Sequence, residues 1–138
     1  MAGSRKSFII SIFAICFLFA ATASFASDDK VIAYYFHSDF RCPTCHAMEK
    51  YTKEAIEGNF KNELASGMLV FEVINVDEKG NKHFVDDYQL YTKSLVISKI
   101  VNGKEIKHKN LAKIWEYVRN RDKFLDYVTN EIKDYLKE

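Results

Sequence analysis

The chain has 138 residues, 20 basic and 19 acidic, with a formal charge of +1 and 48% hydrophobic side chains. That length supports one ordinary domain with a modest core and leaves no room for a second. The near-neutral balance, without a long run of one sign, argues against a nucleic-acid partner.

At the N-terminus, Arg5 and Lys6 precede an apolar run from Phe8 to Ala20 and a small-residue stretch from Ala21 to Ala26. This is the layout of a secretory signal peptide. Ser24 and Ala26 take the positions of a cleavage site before Ser27, so residues 1–26 are set aside and residues 27–138 are read as the domain. A competing reading keeps the segment as an uncleaved anchor, because roughly 20 mostly apolar residues just span a bilayer. Cys16 follows Ile15 inside the apolar run, which does not suit a lipid-modified cysteine. The segment predicts an exported, periplasmic protein, membrane-anchored if the signal is retained; a monomer is expected. Export leaves Cys42 and Cys45 as the only cysteines, in a compartment that tolerates disulfides.

Val31 to Phe36 is a short apolar run rich in β-branched and aromatic residues, as expected of a strand buried on both faces. It stops at His37-Ser38-Asp39. From Pro43 to Glu57 the residues Cys45, Met48, Thr52, Ala55 and Ile56 recur at helical spacing, with Gly58 at a C-cap position. Phe60 and Leu64 predict a further helical turn or two, ended by Gly67, and Met68 to Val76 predicts a second buried strand. Asp77 to Gly80 is a polar turn, and Phe84, Tyr88 and Leu90 predict a weaker helix. Leu95 to Val101 and Glu105 to His108 flank Asn102-Gly103, a two-residue hairpin signal. From Asn110 the apolar residues keep helical spacing to the end, with a break expected in the charged stretch Arg119 to Lys123. The order β-α-β-α-β-β-α predicts an α/β domain with a mixed four-stranded sheet, helices on both faces and an extended C-terminal helical segment.

The chemistry centres on Cys42-Pro43-Thr44-Cys45, which follows a strand and opens a helix. Thiol–disulfide exchange needs a thiolate nucleophile and a second thiol close enough to resolve the mixed disulfide. With Cys42 at the N-cap, Pro43 at the first helical position and Cys45 one turn in, Cys42 faces unpaired backbone N–H groups and the positive end of the helix. Arg41 adds a neighbouring charge, so Cys42 is expected to be the acidic nucleophile and Cys45 the less exposed second thiol. A permanent structural clip is the bland alternative, but so short a loop constrains the unfolded chain little.

This order of elements, with Cys42-Pro43-Thr44-Cys45 after Val31 to Phe36, Asn75-Val76-Asp77 closing the next strand and Asn102-Gly103 in the hairpin, resembles the thioredoxin-like family. The resemblance implies a thiol–disulfide oxidoreductase that needs no cofactor and exchanges disulfides with a protein or small-molecule thiol partner, for an exported protein a membrane redox donor or acceptor. It also exposes departures. Pro43 is the only proline, so Ser94, or else Lys93, stands where the family carries a cis-proline facing the cysteines. A cis bond before a non-proline residue costs about 3 kcal/mol, so a trans loop is expected. Phe36 stands where thioredoxins keep a buried acid, and Val73 where they keep a lysine. Proton transfer for Cys45 then calls on another group, with Asp39, His37 and His46 as the candidates near in sequence.

Two other chemistries use the same cysteines. Cys42 to His46 reads CxxCH, the attachment pattern of c-type haem, with Met68 the axial candidate, although haem c domains are helical. A soft-metal binding or transfer protein would use Cys42, Cys45 and His46, or His37 in place of His46. No second CxxC or HxxxH is present to close a four-ligand zinc site. His83 and His108 lie on polar segments and require no role.

Overall fold

Alternation along β1 (Lys30–His37) decides the layering of the domain. Successive side chains of a strand point to opposite faces, and Val31, Ala33 and Tyr35 enter one core while Tyr34 and Phe36 enter another. The computed structural model describes residues 29–138, so the signal-segment and anchor expectations, with Cys16, lie outside the described residues.

β1 leads into α1 (Pro43–Asn59) and α2 (Lys61–Ser66), which cross over to β2 (Leu69–Asn75). β2 lies parallel to β1, with Val31 opposite Leu69 and His37 opposite Asn75. After α3 (His83–Asp87) the hairpin β3 (Ser94–Val101) and β4 (Lys104–Asn110) adds antiparallel to β1, with Ala33 opposite Ile97. The sheet order is β2-β1-β3-β4. The hairpin turn holds Asn102 at φ 51° and Gly103 at φ 75°, the left-handed pair that an Asn-Gly turn supplies. A short α4 (Ile114–Tyr117) and a long α5 (Arg121–Lys137) finish the chain. They are separated at the charged stretch, where the Asn120 side chain accepts from the Lys123 backbone N–H at 3.1 Å and caps α5.

The larger core lies between the sheet and the pair α1 and α5. Met48, Ala55 and Ile56 of α1 and Phe124, Val128 and Ile132 of α5 are buried against Val31, Ala33, Tyr35, Leu95 and Ile97. Full burial of a Val-to-Phe side chain is worth about 1.5–3 kcal/mol, so this face anchors α1 firmly. The opposite face is thinner, with Phe36, Leu90 and Val96 covered by the aromatic rings of Phe84 and Tyr88 on and beside α3.

Two expectations need correction. Gly58 does not cap α1, which runs through it to Asn59 and ends at Phe60, whose buried ring belongs to the core. Gly67, at φ 77°, is the left-handed cap, and it closes α2. The second strand is not buried throughout, because the sheet order leaves β2 at an edge. Leu69 is its one fully buried side chain, and Glu72 and Val73 are exposed.

Candidate active site

The first turn of α1 is built on Cys42. Cys42 is the N-cap, with extended backbone, and its Sγ accepts from the Cys45 N–H at 3.3 Å. Pro43 occupies the first turn, where an N–H has no helical partner to lose. Cys42 and Cys45 are joined as a disulfide, with Cα atoms 5.1 Å apart. Their environments differ as expected: Cys42 is half-buried, whereas Cys45 is 1% exposed and faces the core with Met48 and Thr52. A reagent from solvent therefore meets Cys42 first.

Beneath the pair lies a group that the sequence did not single out. The Tyr35 hydroxyl, fully buried, donates to the Cys45 carbonyl at 2.7 Å. Burial pushes its ionisation far above the ordinary tyrosine value. Arg41, expected as a charge beside Cys42, has its guanidinium paired with the Glu49 carboxylate. Glu49 lies one helical turn beyond Cys45. The strand alternation that turns Val31 and Ala33 inward also turns Tyr35 inward, and the i to i+4 spacing of Cys45 and Glu49 marks a shared helix face. Those were the available signals.

The other expected supports are spread around the rim. Thr44 is partly buried, while Pro43 and His46 are exposed on the outer side of α1. Asp39 is exposed and committed to a loop clasp: its N–H donates to Asp77 at 2.8 Å and its carboxylate accepts from the Asn75 amide at 2.7 Å. His37 Nδ1 lies 2.9 Å from the Ser38 carbonyl, which can only accept, so that nitrogen carries the proton. His37 also lines a cavity of about 160 Å³ with Phe36, Val76 and Leu90, in which no cysteine takes part. Ser94 is buried at the start of β3, opposite Phe36, and its hydroxyl donates to the Thr92 carbonyl at 2.9 Å. The preceding loop is trans, and no cis peptide bond occurs among the described residues.

Aromatic side chains flank the cysteines. Phe40, 75% exposed, lies under the Lys93 ammonium at 5.5 Å, and the Trp115 indole donates to the Lys93 carbonyl at 3.0 Å. Trp115, Val118 and Arg119 form an open groove with Pro43, Thr44 and Ala47. Among the described residues no three His, Cys, Asp or Glu side chains converge as metal ligands, and no helix is long and apolar enough to cross a membrane.

A parallel β-α-β unit followed by an antiparallel hairpin and a helix, in strand order β2-β1-β3-β4 with a cysteine pair at the start of the first helix, defines a thioredoxin-like CxxC protein. No protein-family model matches the sequence, and no match to a curated protein is found. Among solved structures the chain is similar to a mutant thioredoxin from Halobacterium salinarum, at 19% identity and TM-score 0.46, covering 75% of this chain and 76% of that one. It is also similar to Fasciola hepatica thioredoxin, at 19% identity and TM-score 0.41 over 67% of this chain and 81% of that one. Thioredoxin from Trypanosoma brucei brucei shows 16% identity and TM-score 0.42 over 75% and 76%. The class assignment rests on strand order and pairing rather than on these distant overlays.

Proposed function

We propose that this protein is an exported thiol–disulfide oxidoreductase that works through Cys42 and Cys45. The observation that carries the reading is the unequal pair: a partly buried cysteine at the N-cap of α1 bonded to a fully buried one a turn inside it. In the reduced state the N-cap position favours the Cys42 thiolate, because backbone N–H groups and the helix dipole favour negative charge there. That thiolate attacks one sulfur of a partner disulfide, forms the mixed disulfide and releases the partner's other sulfur as thiolate. Cys45 then passes its proton to the partner thiolate just released, or to solvent, attacks the Cys42 sulfur and expels the second partner thiolate. The partner gains two electrons and the Cys42–Cys45 disulfide is left. Run backwards, the same steps oxidise a partner dithiol.

The signal-like segment supports placement in the periplasm, either free after cleavage before Ser27 or tethered, where a membrane redox protein would serve as donor or acceptor. Titrating the Cys42/Cys45 couple against a glutathione buffer tests the reading. A reversible two-electron transition is expected, near about −270 mV for a reductant or about −120 mV for an oxidant. A disulfide that never exchanges would reduce it to a structural clip. Stoichiometric Cu(I) uptake by the reduced protein, without exchange, would replace it with metal transfer.

A further inference from the structure

We infer that Glu49 is a positioning residue of this site, holding and offsetting the Arg41 guanidinium so that the helix N-terminus, rather than a bare cation, governs how acidic Cys42 is; the inference rests on the exchange reading above. Arg41 precedes the nucleophile directly, and its guanidinium contacts Glu49 across the first turns of α1. The pair is sheltered, with side chains 22% and 28% exposed, and Arg41 Nε is buried without a hydrogen-bond partner. The guanidinium is thus packed in place and gives up a donor's solvation to sit there. Both charges act on the Tyr35 hydroxyl after the larger effect of burial, Arg41 drawing its ionisation down and Glu49 pushing it up. That hydroxyl is bonded to the Cys45 carbonyl, so the pair acts on a group that touches the first turn of α1.

The consequence is a matter of sign. A lone guanidinium beside a thiol favours the thiolate, whereas a neighbouring carboxylate opposes it. Held together, the two nearly cancel at a distance, and the helix N-terminus is left as the main source of thiolate stabilisation. The other charged or titratable groups around the site, among the described residues, are His46 on α1, His37 at the end of β1, Asp39 clasped by Asn75, Lys93 over Phe40, and Arg119 across the groove. Every variant below leaves them in place.

The experiment titrates thiolate absorbance of Cys42 in a Cys45→Ala background, alone and with Glu49→Gln, Glu49→Asp, Arg41→Met, or Arg41→Met with Glu49→Gln. Glu49→Gln should lower the Cys42 pKa and Arg41→Met should raise it, each by on the order of half a unit to one unit. The double variant should return close to the parent, and Glu49→Asp, which keeps the charge, should stay there. With both cysteines present, Glu49→Gln should also make the couple more oxidising, because the reduced form gains stability. Shifts of the same sign in both single variants, or none in Glu49→Gln, would overturn the inference while exchange by the parent remained. Should Arg41→Met not fold, the contrast between Glu49→Gln and Glu49→Asp still decides. Absence of exchange in the unsubstituted protein would sink the functional reading instead.

Discussion

Replacing Tyr35 by Phe removes one hydroxyl from the floor of the site and leaves the ring in its core position. The hydroxyl is fully buried and donates to the Cys45 carbonyl at 2.7 Å. Because burial holds the phenol neutral far above physiological pH, it is a donor under all ordinary conditions. Cys45 lies inside α1, so its carbonyl keeps the helical N–H four residues on. Tyr35→Phe therefore orphans no buried group, and its cost is the net worth of one hydrogen bond, about 0.5–1.5 kcal/mol. For a domain of this size that is a fall in Tm of about 4 °C. Tyr35→Ala also removes the ring from the core and should cost about 3–5 kcal/mol, the range for large aromatic truncations. Urea denaturation of the oxidised proteins, with slopes compared to confirm unchanged exposure on unfolding, measures both. If Tyr35→Phe matched the parent, the hydrogen bond would contribute nothing. If it cost as much as Tyr35→Ala, the hydroxyl would be holding more of the site than the Cys45 carbonyl.

Cys45→Ala should accumulate mixed disulfides through Cys42, while Cys42→Ala should trap almost none; non-reducing mass spectrometry reads the difference, and equal trapping would contradict the assigned order of attack. Glu105 bears on acid stability. Burial pushes its carboxyl up, but hydrogen bonds from Ser98, Tyr88 and His108 outweigh that and hold it below the usual carboxylate range. A depressed folded value means the contribution is present above the unfolded pKa of about 4.3 and is lost as pH falls through the lower folded value. Glu105→Gln should accordingly flatten the acid limb of the stability profile, and an unchanged limb would show that the network contributes nothing. Gly103→Ala meets no neighbour but must adopt φ 75°, so it should lower stability by about 1 kcal/mol, measurable by thermal unfolding.

The elements that announced themselves in the sequence are those whose local pattern and tertiary environment agree. The unbroken apolar run of β1, the Asn102-Gly103 turn and the spacing from Cys45 to Ile56 each state locally what the fold then uses globally. Gly58 misled because a glycine signals a stop only where the chain needs a positive φ, and packing of Ile56 and Phe60 carries the helix past it. The exposure of β2 was hidden for another reason: Met68 to Val76 is as apolar as a central strand, and only the strand order shows it to be an edge. At the site, the cysteines and their caps were visible because their spacing is local. Tyr35, ten residues before Cys45, meets its partner only once β1 and α1 are packed together, and Glu49 meets Arg41 only once the chain turns into α1.

That packing also explains how the site can change redox state without loosening the fold. A disulfide between residues three apart closes a very short loop and removes little entropy from the unfolded chain. The position of α1 is set instead by Met48, Ala55 and Ile56 against the sheet and α5, by the Thr52 hydroxyl donating to the Met48 carbonyl at 2.8 Å, and by Tyr35 from below. Breaking the sulfur–sulfur bond leaves each of these intact. Cys45 is enclosed in the disulfide state and Cys42 only partly buried, so in the proposed exchange Cys42 is the sulfur that a partner meets first. The sheltered Arg41–Glu49 pair adds a local balance of charge without adding to the core. Stability and redox tuning thus rest on different residues: the first on the face shared by α1 and α5, the second on side chains grouped around the first turn of α1.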